Sequence, residues 1–279
     1  MKKPAGPLLR SLGALWIAAC LVAMALTVRY MKGAVRNAFV LRSAGVSQLA
    51  QANLQEFLDR HTRDLGDLAQ NLGEAPPNGQ RDFEDRAARV LPENPAFAAL
   101  NFFNRDFILT WGFPYAANRT AEGLNLKTHF AGLAAARRAI ERHGPAASGL
   151  VDLLQGESGV LLYAPVFEGD TWRGLIEGAL QIPRLAARFI APLFGPRFRF
   201  MIIDERRGEE LYSNMREVDH ARTPAYDAYF TLNVADRIWW VVLHPVSPPP
   251  TLALVVGALM VELAVGAGVL ILAGRRKWD

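Results

Sequence analysis

The sequence predicts an α+β protein: a long stalk helix and tandem antiparallel-sheet lobes, flanked by two transmembrane helices. Three observations carry this expectation. Two blocks near the ends, residues 11–28 and 251–273, are almost free of charge. Residues 28–72 contain no proline and repeat leucine at helical spacing. From residue 96 onward, short apolar runs are punctuated by Gly, Pro, Asn and Asp, the signature of strands and their turns.

With 279 residues, 51% of them hydrophobic, the chain is long enough to bury a substantial core. Its net charge of +4 comes from scattered Arg and Lys rather than one basic stripe, which argues against a nucleic-acid partner. Cys20 is the single cysteine, so no intramolecular disulfide can form and the fold must stand on packing. The histidines (His61, His129, His143, His220, His244) show no metal-ligand spacing, and neither a metal nor a cofactor is expected.

The first apolar block, Ser11 to Val28, follows Lys2, Lys3 and Arg10 and has the length needed to cross about 30 Å of hydrocarbon. Two rivals to an uncleaved anchor exist. A cleaved signal peptide has a shorter apolar stretch and then a polar start, whereas here nothing polar follows until Arg29. Ile17-Ala18-Ala19-Cys20 resembles a lipobox, but the apolar run continues past Cys20 to Val28. The anchor is the reading adopted. The second block, Thr251 to Ala273, is followed by Arg275, Arg276 and Lys277, while residues 238–250 hold no Lys or Arg. Under the positive-inside rule this sets residues 274–279 in the cytoplasm, with residues 1–10 on the same side. The intervening region then lies outside the inner membrane, in the periplasm. Glu262 falls mid-block, where a carboxylate is either functional or held by hydrogen bonds at a helix interface with Ala253, Gly257, Ala264 and Gly268.

Residues 29–75 are expected to form the stalk. Leu54, Leu58, Leu65, Leu68 and Leu72 follow a four-three alternation, with His61 in the remaining slot. Such a stripe is either a coiled-coil seam to a second copy, giving a homodimer, or the face that packs on the chain's own domain; spacing does not separate the two. Pro76-Pro77-Asn78-Gly79 ends the stalk, and a short helix follows around Asp82 to Val90.

The outer region divides at Gly195-Pro196 into a distal lobe, residues 76–194, and a proximal one, residues 195–247. In the distal lobe, Ala96–Asn104 and Phe107–Phe113 read as strands, Lys127–Arg142 as a helix ended by Gly144-Pro145, and Gly149–Leu154, Gly159–Phe167 and Trp172–Ile182 as three more strands. Two strands, a helix, then three strands is the order of a PAS-like sheet with a pocket between sheet and helices. Pro183–Phe194 reads as a helix. Arg197–Asp204, Glu210–Ser213, Tyr226–Leu232 and Arg237–His244 then supply a reduced second sheet.

Several short runs in the distal lobe carry a family resemblance: Asn94-Pro95 and Phe97; Trp111, Pro114 and Asn118; Gly123-Leu124-Asn125-Leu126; residues 159–167; and Gly174 through Gly178. In this order, between two apolar blocks, they resemble the CHASE family, extracellular sensory domains of histidine kinases and diguanylate cyclases that include the plant cytokinin receptors. The resemblance covers roughly Asp82 to Ile182. It implies tandem PAS-like lobes, a small-molecule ligand in the distal lobe, and Trp111, Asn125 and Tyr163 as ligand-contact candidates. Asn125 stands where cytokinin receptors have Asp, and Tyr163 where they have Thr, so recognition of adenine-type ligands is not expected. Read as residues alone, Asn125 is equally a cap of the helix that follows, whereas Trp111 and Tyr163 read first as core aromatics.

Catalytic signatures are lacking. Gly156-Glu157-Ser158-Gly159 has the wrong spacing for a nucleophile elbow and reads as a β-turn, and no Walker, dinucleotide or zinc motif occurs. The expectation is a sensor and not an enzyme, passing ligand state to a separate or missing cytoplasmic kinase or cyclase. The alternative is a non-sensing membrane scaffold that dimerises through the stalk.

Overall fold

The structure, a computed structural model, describes residues 7–154, 156–215, 228–246, 257, 259–263 and 265–266, with side chains from 22–30 and from Ala44 onward. The chain divides into two units, residues 1–43 with 247–279, and residues 44–246. In the first unit the described side chains are helical and leave Val22, Leu26, Met260, Val261, Leu263 and Val265 exposed. Glu262, among them, is half-buried. Most of the predicted membrane blocks and both chain ends lie outside the described side chains. Among the described residues no helix is long and apolar enough to cross a membrane.

Helix α1 spans Pro7–Glu74, so the first apolar block and the stalk form one element, as the lack of proline allows. Within the second unit, α1 is followed by α2 (Gln80–Val90), β1 (Phe97–Asn104), β2 (Leu109–Phe113), a single turn α3 (Tyr115–Asn118) and α4 (Phe130–Arg142). Then come β3 (Ala146–Asp152), β4 (Ser158–Glu168) and β5 (Thr171–Gln181). All pairings are antiparallel and the strand order is β2-β1-β5-β4-β3. The connection from β5 is helical throughout: α5 (Ile182–Leu185), a π-turn at Ala186–Ile190, and α6 (Ala191–Phe194). Four further strands, β6 (Phe198–Asp204), β7 (Glu209–Ser213), β8 (Ala228–Val234) and β9 (Arg237–Pro245), pair in the order β7-β6-β9-β8. The second sheet thus repeats the first with one edge strand fewer. The predicted start of β8, at Tyr226, lies outside the described residues.

One predicted helix breaks in two. Residues 127–142 were expected to be continuous, but Leu126–Thr128 form a 3₁₀ turn and α4 starts only at Phe130. His129 causes the break: it adopts extended backbone and its Nδ1 accepts the Gly132 N–H at 3.1 Å, capping the new helix. At the other end His143 takes the left-handed conformation that closes α4, which lets β3 begin at Ala146, before the expected Gly149.

The stalk stripe is settled by burial. Leu54, Leu58, Leu65, Leu68, Leu72 and His61 are all at most 4% exposed. The five leucines join one apolar cluster with Leu100, Ile176 and Leu162 of the first sheet and Trp239, Val241 and Leu232 of the second. The stripe is therefore the face by which the helix packs on its own domain, and it ties both sheets to one rod. Contact is close at the far end, where a Cβ on Gly73 would lie 2.0 Å from the Phe167 carbonyl oxygen, so only glycine fits. At the near end Gln55 behaves as an extra strand residue: its amide accepts the Asn233 N–H at 2.8 Å and donates to the Asn233 carbonyl at 3.0 Å, covering the edge of β8.

Candidate functional site

Side chains alternate across a strand, so the first sheet has two unlike faces. Leu100, Phe102, Ile176, Leu180, Val160 and Leu162 point to the stalk cluster. The opposite set, Ala99, Phe103, Leu175, Ala179, Leu161 and Tyr163, packs with Ala135, Ala136 and Ala139 of α4. Three polar residues sit on this second face, side by side across the three central strands: Asn101 is in register with Glu177, and Glu177 with Tyr163. All three are buried, at 2%, 5% and 0% exposure.

Asn101 Nδ2 donates to Glu177 Oε1 at 2.9 Å. Among the described residues the Asn101 Oδ1 and the Tyr163 hydroxyl find no hydrogen-bond partner. Tyr163 lies near enough to Glu177 to influence its proton affinity without making a hydrogen bond of ordinary geometry. Burial raises the Glu177 carboxyl above its ordinary range, partly offset by Asn101 and Tyr163. Burial, reinforced by the neighbouring carboxylate, pushes the Tyr163 phenol well above its own. Groups this dry with unused hydrogen-bonding capacity are costly unless something completes them.

Above them lies a cavity of about 80 Å³. Asn101 and Glu177 form part of its floor; Phe103, Leu109, Leu161 and Ala179 form apolar walls; His129 and Asp152 bring further polar groups. Gly132 of α4 packs close beside it. A Cβ there would stand 2.6 Å from His129 Nδ1 and 2.7 Å from the Tyr163 oxygen, so glycine lets the helix come down onto the sheet without displacing either. The chemistry available is recognition: charge and hydrogen bonds at the bottom of a small apolar recess. Among the described residues no three His, Cys, Asp or Glu side chains converge to hold a metal ion.

The sequence candidates fall in different places. Tyr163 belongs to the polar row. Asn125 is half-buried between Leu124 and Leu126, which line the cavity, and its own carbonyl oxygen Oδ1 accepts the Lys127 N–H at 3.0 Å as a cap. Trp111 is on the stalk side of the sheet, stacked on Phe102 at 4.9 Å and on Phe83 at 6.0 Å, and it lines a separate groove of about 310 Å³ with Pro76, Pro77 and Val166. The structure does not bring Trp111 together with the other two. Asn101, Glu177, His129 and Asp152 were missed by sequence reasoning. Glu177 carries the readable signal: it is a lone carboxylate inside the run Gly174–Gln181, at an inward position.

A sequence model described as the CHASE domain matches residues 68–212, more than half of the chain, from the end of the stalk through β7. The chain belongs to the CHASE-domain family. CHASE domains are sensory domains. Solved structures agree at the level of fold. The ligand-binding domain of the Pseudomonas fluorescens chemoreceptor CtaA, in complex with L-isoleucine, matches with a TM-score of 0.59 at 12% identity, over 80% of this chain and 98% of that one. That of the Pseudomonas aeruginosa PAO1 amino acid chemoreceptor PctC, in complex with GABA, matches with a TM-score of 0.55 at 16% identity, over 72% and 97%. An extracellular ligand-binding receptor from Desulfohalobium retbaense gives 0.55 at 14% identity over 71% of this CHASE-domain chain, which spans only 39% of that receptor. A search of the curated proteins gives no match.

Proposed function

We propose that this chain is an extracytoplasmic small-molecule sensor, held in the inner membrane by the apolar blocks 11–28 and 251–273, whose ligand occupies the cavity over Asn101 and Glu177. The carrying observation is that row of buried polar groups, two of them with unused hydrogen-bonding atoms, beneath a recess in the distal sheet. Exposed apolar residues such as Leu26, Met260 and Leu263 in the first unit support the membrane reading.

The route from cavity to output is short. Arg138 of α4 donates to Asp236 at 2.7 Å, and Ala147 of β3 bonds both Asp236 and Arg237. Asp236 lies in the turn before β9, and β9 ends at Pro245, shortly before the second apolar block begins at Thr251. A ligand with unequal affinity for two positions of α4 shifts that turn, and with it the strand leading to the exit helix. In this reading the receiver is a cytoplasmic module of the kinase or cyclase kind.

Two experiments test this. Thermal melts of the full-length protein in detergent against a metabolite library should find compounds that raise the melting temperature, because a ligand of the folded form alone must do so. Complete absence of stabilisation removes the sensor reading. Reporter enzymes inserted near Gly79 and fused after Lys277 should report the outer and inner side respectively; the reverse removes the topology.

A further inference from the structure

The cavity also constrains what it can hold. We infer that the ligand is a small aliphatic primary amine, bound as its ammonium ion against Glu177 and Asn101. This rests on the sensor reading above and adds the ligand class to it.

Charge decides first. Among the described residues the ionisable side chains lining the cavity are Glu177, Asp152 and His129, with no Lys or Arg. His129 Nδ1 accepts a backbone N–H, which requires an unprotonated nitrogen there and so a neutral ring. Every charge this lining can offer is therefore negative. A free carboxylate entering would meet no cation and would add its own desolvation to the repulsion of Glu177 and Asp152. This sets the site against simple acids, and against α-amino acids, whose ammonium carries a carboxylate one carbon away.

Hydrogen-bond count points the same way. An ammonium group brings three donors. The floor has acceptors to match: the two oxygens of the Glu177 carboxylate and the Asn101 Oδ1, which has no partner among the described residues. Asn101 already commits its Nδ2 to Glu177, which orients its oxygen as the free atom. Asp152, exposed at the end of β3, adds negative potential at the mouth.

Size and walls define the remainder. The space of about 80 Å³ is lined by Phe103, Leu109, Leu126, Leu153 and Leu161. An apolar cavity of about 150 Å³ accommodates benzene. A purine ring does not fit here without rearrangement, whereas a branched chain of a few carbons does.

The test uses three probes that share an isopropyl group: isobutylamine, isobutyrate and L-valine. Each is titrated into the full-length protein in detergent, by calorimetry and by thermal melt, beside Glu177→Gln and Asp152→Asn. Isobutylamine is expected to bind and to raise the melting temperature, with isobutyrate and L-valine weaker by roughly tenfold or more. Glu177→Gln should lose roughly tenfold or more in amine affinity while still melting cooperatively. Should that variant not fold, Asp152→Asn at the exposed mouth is expected to lose several-fold without changing stability. Isobutyrate or L-valine binding as tightly as the amine overturns the inference, and so does amine binding indifferent to both substitutions. A library compound of another class that stabilises the protein while isobutylamine does not overturns the amine assignment alone. Stabilisation by no compound overturns the sensor reading with it.

Discussion

Asp236, in the turn between the last two strands, accepts the backbone N–H of Ala147 at 2.8 Å, joining the proximal sheet to the edge of the distal one. The same carboxylate takes the Arg138 Nε hydrogen at 2.7 Å, and Arg237 beside it donates to the Ala147 carbonyl at 2.8 Å. Arg237 also pairs with the buried Asp204. One residue pair, Asp236-Arg237, thus reads both backbone polar groups of Ala147, so the two lobes cannot slide without breaking several charged hydrogen bonds together.

The first prediction concerns that joint. Asp236→Ala should destabilise the protein by about 2–3 kcal/mol, the scale of lost hydrogen bonds to a charged group. Burial alone would raise the Asp236 carboxyl, but hydrogen bonds from Arg138 and Ala147, with the nearby Arg206 charge, hold it below its ordinary value. A depressed carboxyl contributes stability that is complete above the unfolded value of 3.8 and is lost as pH falls through the lower folded value. Urea melts of wild type and Asp236→Ala should therefore converge as the pH is taken below 3.8. A constant gap would mean the carboxylate's charge contributes nothing.

Glu177 has the opposite sign. Its carboxyl is raised above the unfolded value of 4.5, so the folded form keeps its proton where the unfolded form has lost it. Stability should fall as pH rises from 4.5 up to the folded value, then level off. Glu177→Gln keeps the shape and the Asn101 contact but cannot ionise. It should lose this decline and melt higher than wild type at neutral pH, as scanning calorimetry across the range would show. Identical pH profiles would sink the assignment of a buried, reluctant acid.

How much of this was visible in the residues varies with the range of the interaction involved. The long helix, the order of elements along the chain and the second, smaller sheet were legible, because helical spacing and turn residues are local signals. His129 was not: its imidazole splits a helix that Ala- and Arg-rich residues otherwise favour, and only the cap geometry reveals it. The leucine stripe was legible as a stripe but not as to its partner, since seam and core use the same spacing. At the site, Tyr163 was visible, while Asn101 and Glu177 acquire meaning only when register sets them side by side on strands far apart in sequence. Trp111 looks the same in sequence whichever face of the sheet it takes.

His61 supplies the third prediction. It fills the one polar slot in the buried stripe, packed between Phe57 at 4.1 Å and Phe97 at 5.1 Å. Its Nδ1 bonds the Phe57 carbonyl at 2.8 Å, so that nitrogen holds the proton, and Nε2 accepts the Ala96 N–H at 3.4 Å. Burial pushes the imidazole below 6.5, against the Phe57 carbonyl and the nearby Asp64, with Arg60 opposing the charge. The unfolded form takes up a proton first, so stability should fall as pH drops below 6.5 toward the folded value. His61→Leu should flatten that fall while costing about 1 kcal/mol at neutral pH for the orphaned Ala96 N–H. Equilibrium unfolding at several pH values decides; a variant with the wild-type slope would show that the titrating group lies elsewhere.

The last prediction separates the site from the fold. Gly132 lies in α4 directly over the polar row, and a methyl there would stand 2.6 Å from His129 Nδ1, 2.7 Å from the Tyr163 oxygen and 2.9 Å from Leu126 Cδ1. Alanine is the better helix former by about 1 kcal/mol, which offsets part of the strain. The remaining strain can be relieved only by lifting α4 or by turning His129 and Tyr163, and either change disturbs the cavity. Gly132→Ala should therefore fold, with a modest change in melting temperature, yet lose roughly tenfold or more in affinity for whichever compound stabilises the wild type. Calorimetric titration of the two proteins side by side measures this. Undiminished affinity in the variant would place the ligand somewhere other than beneath α4.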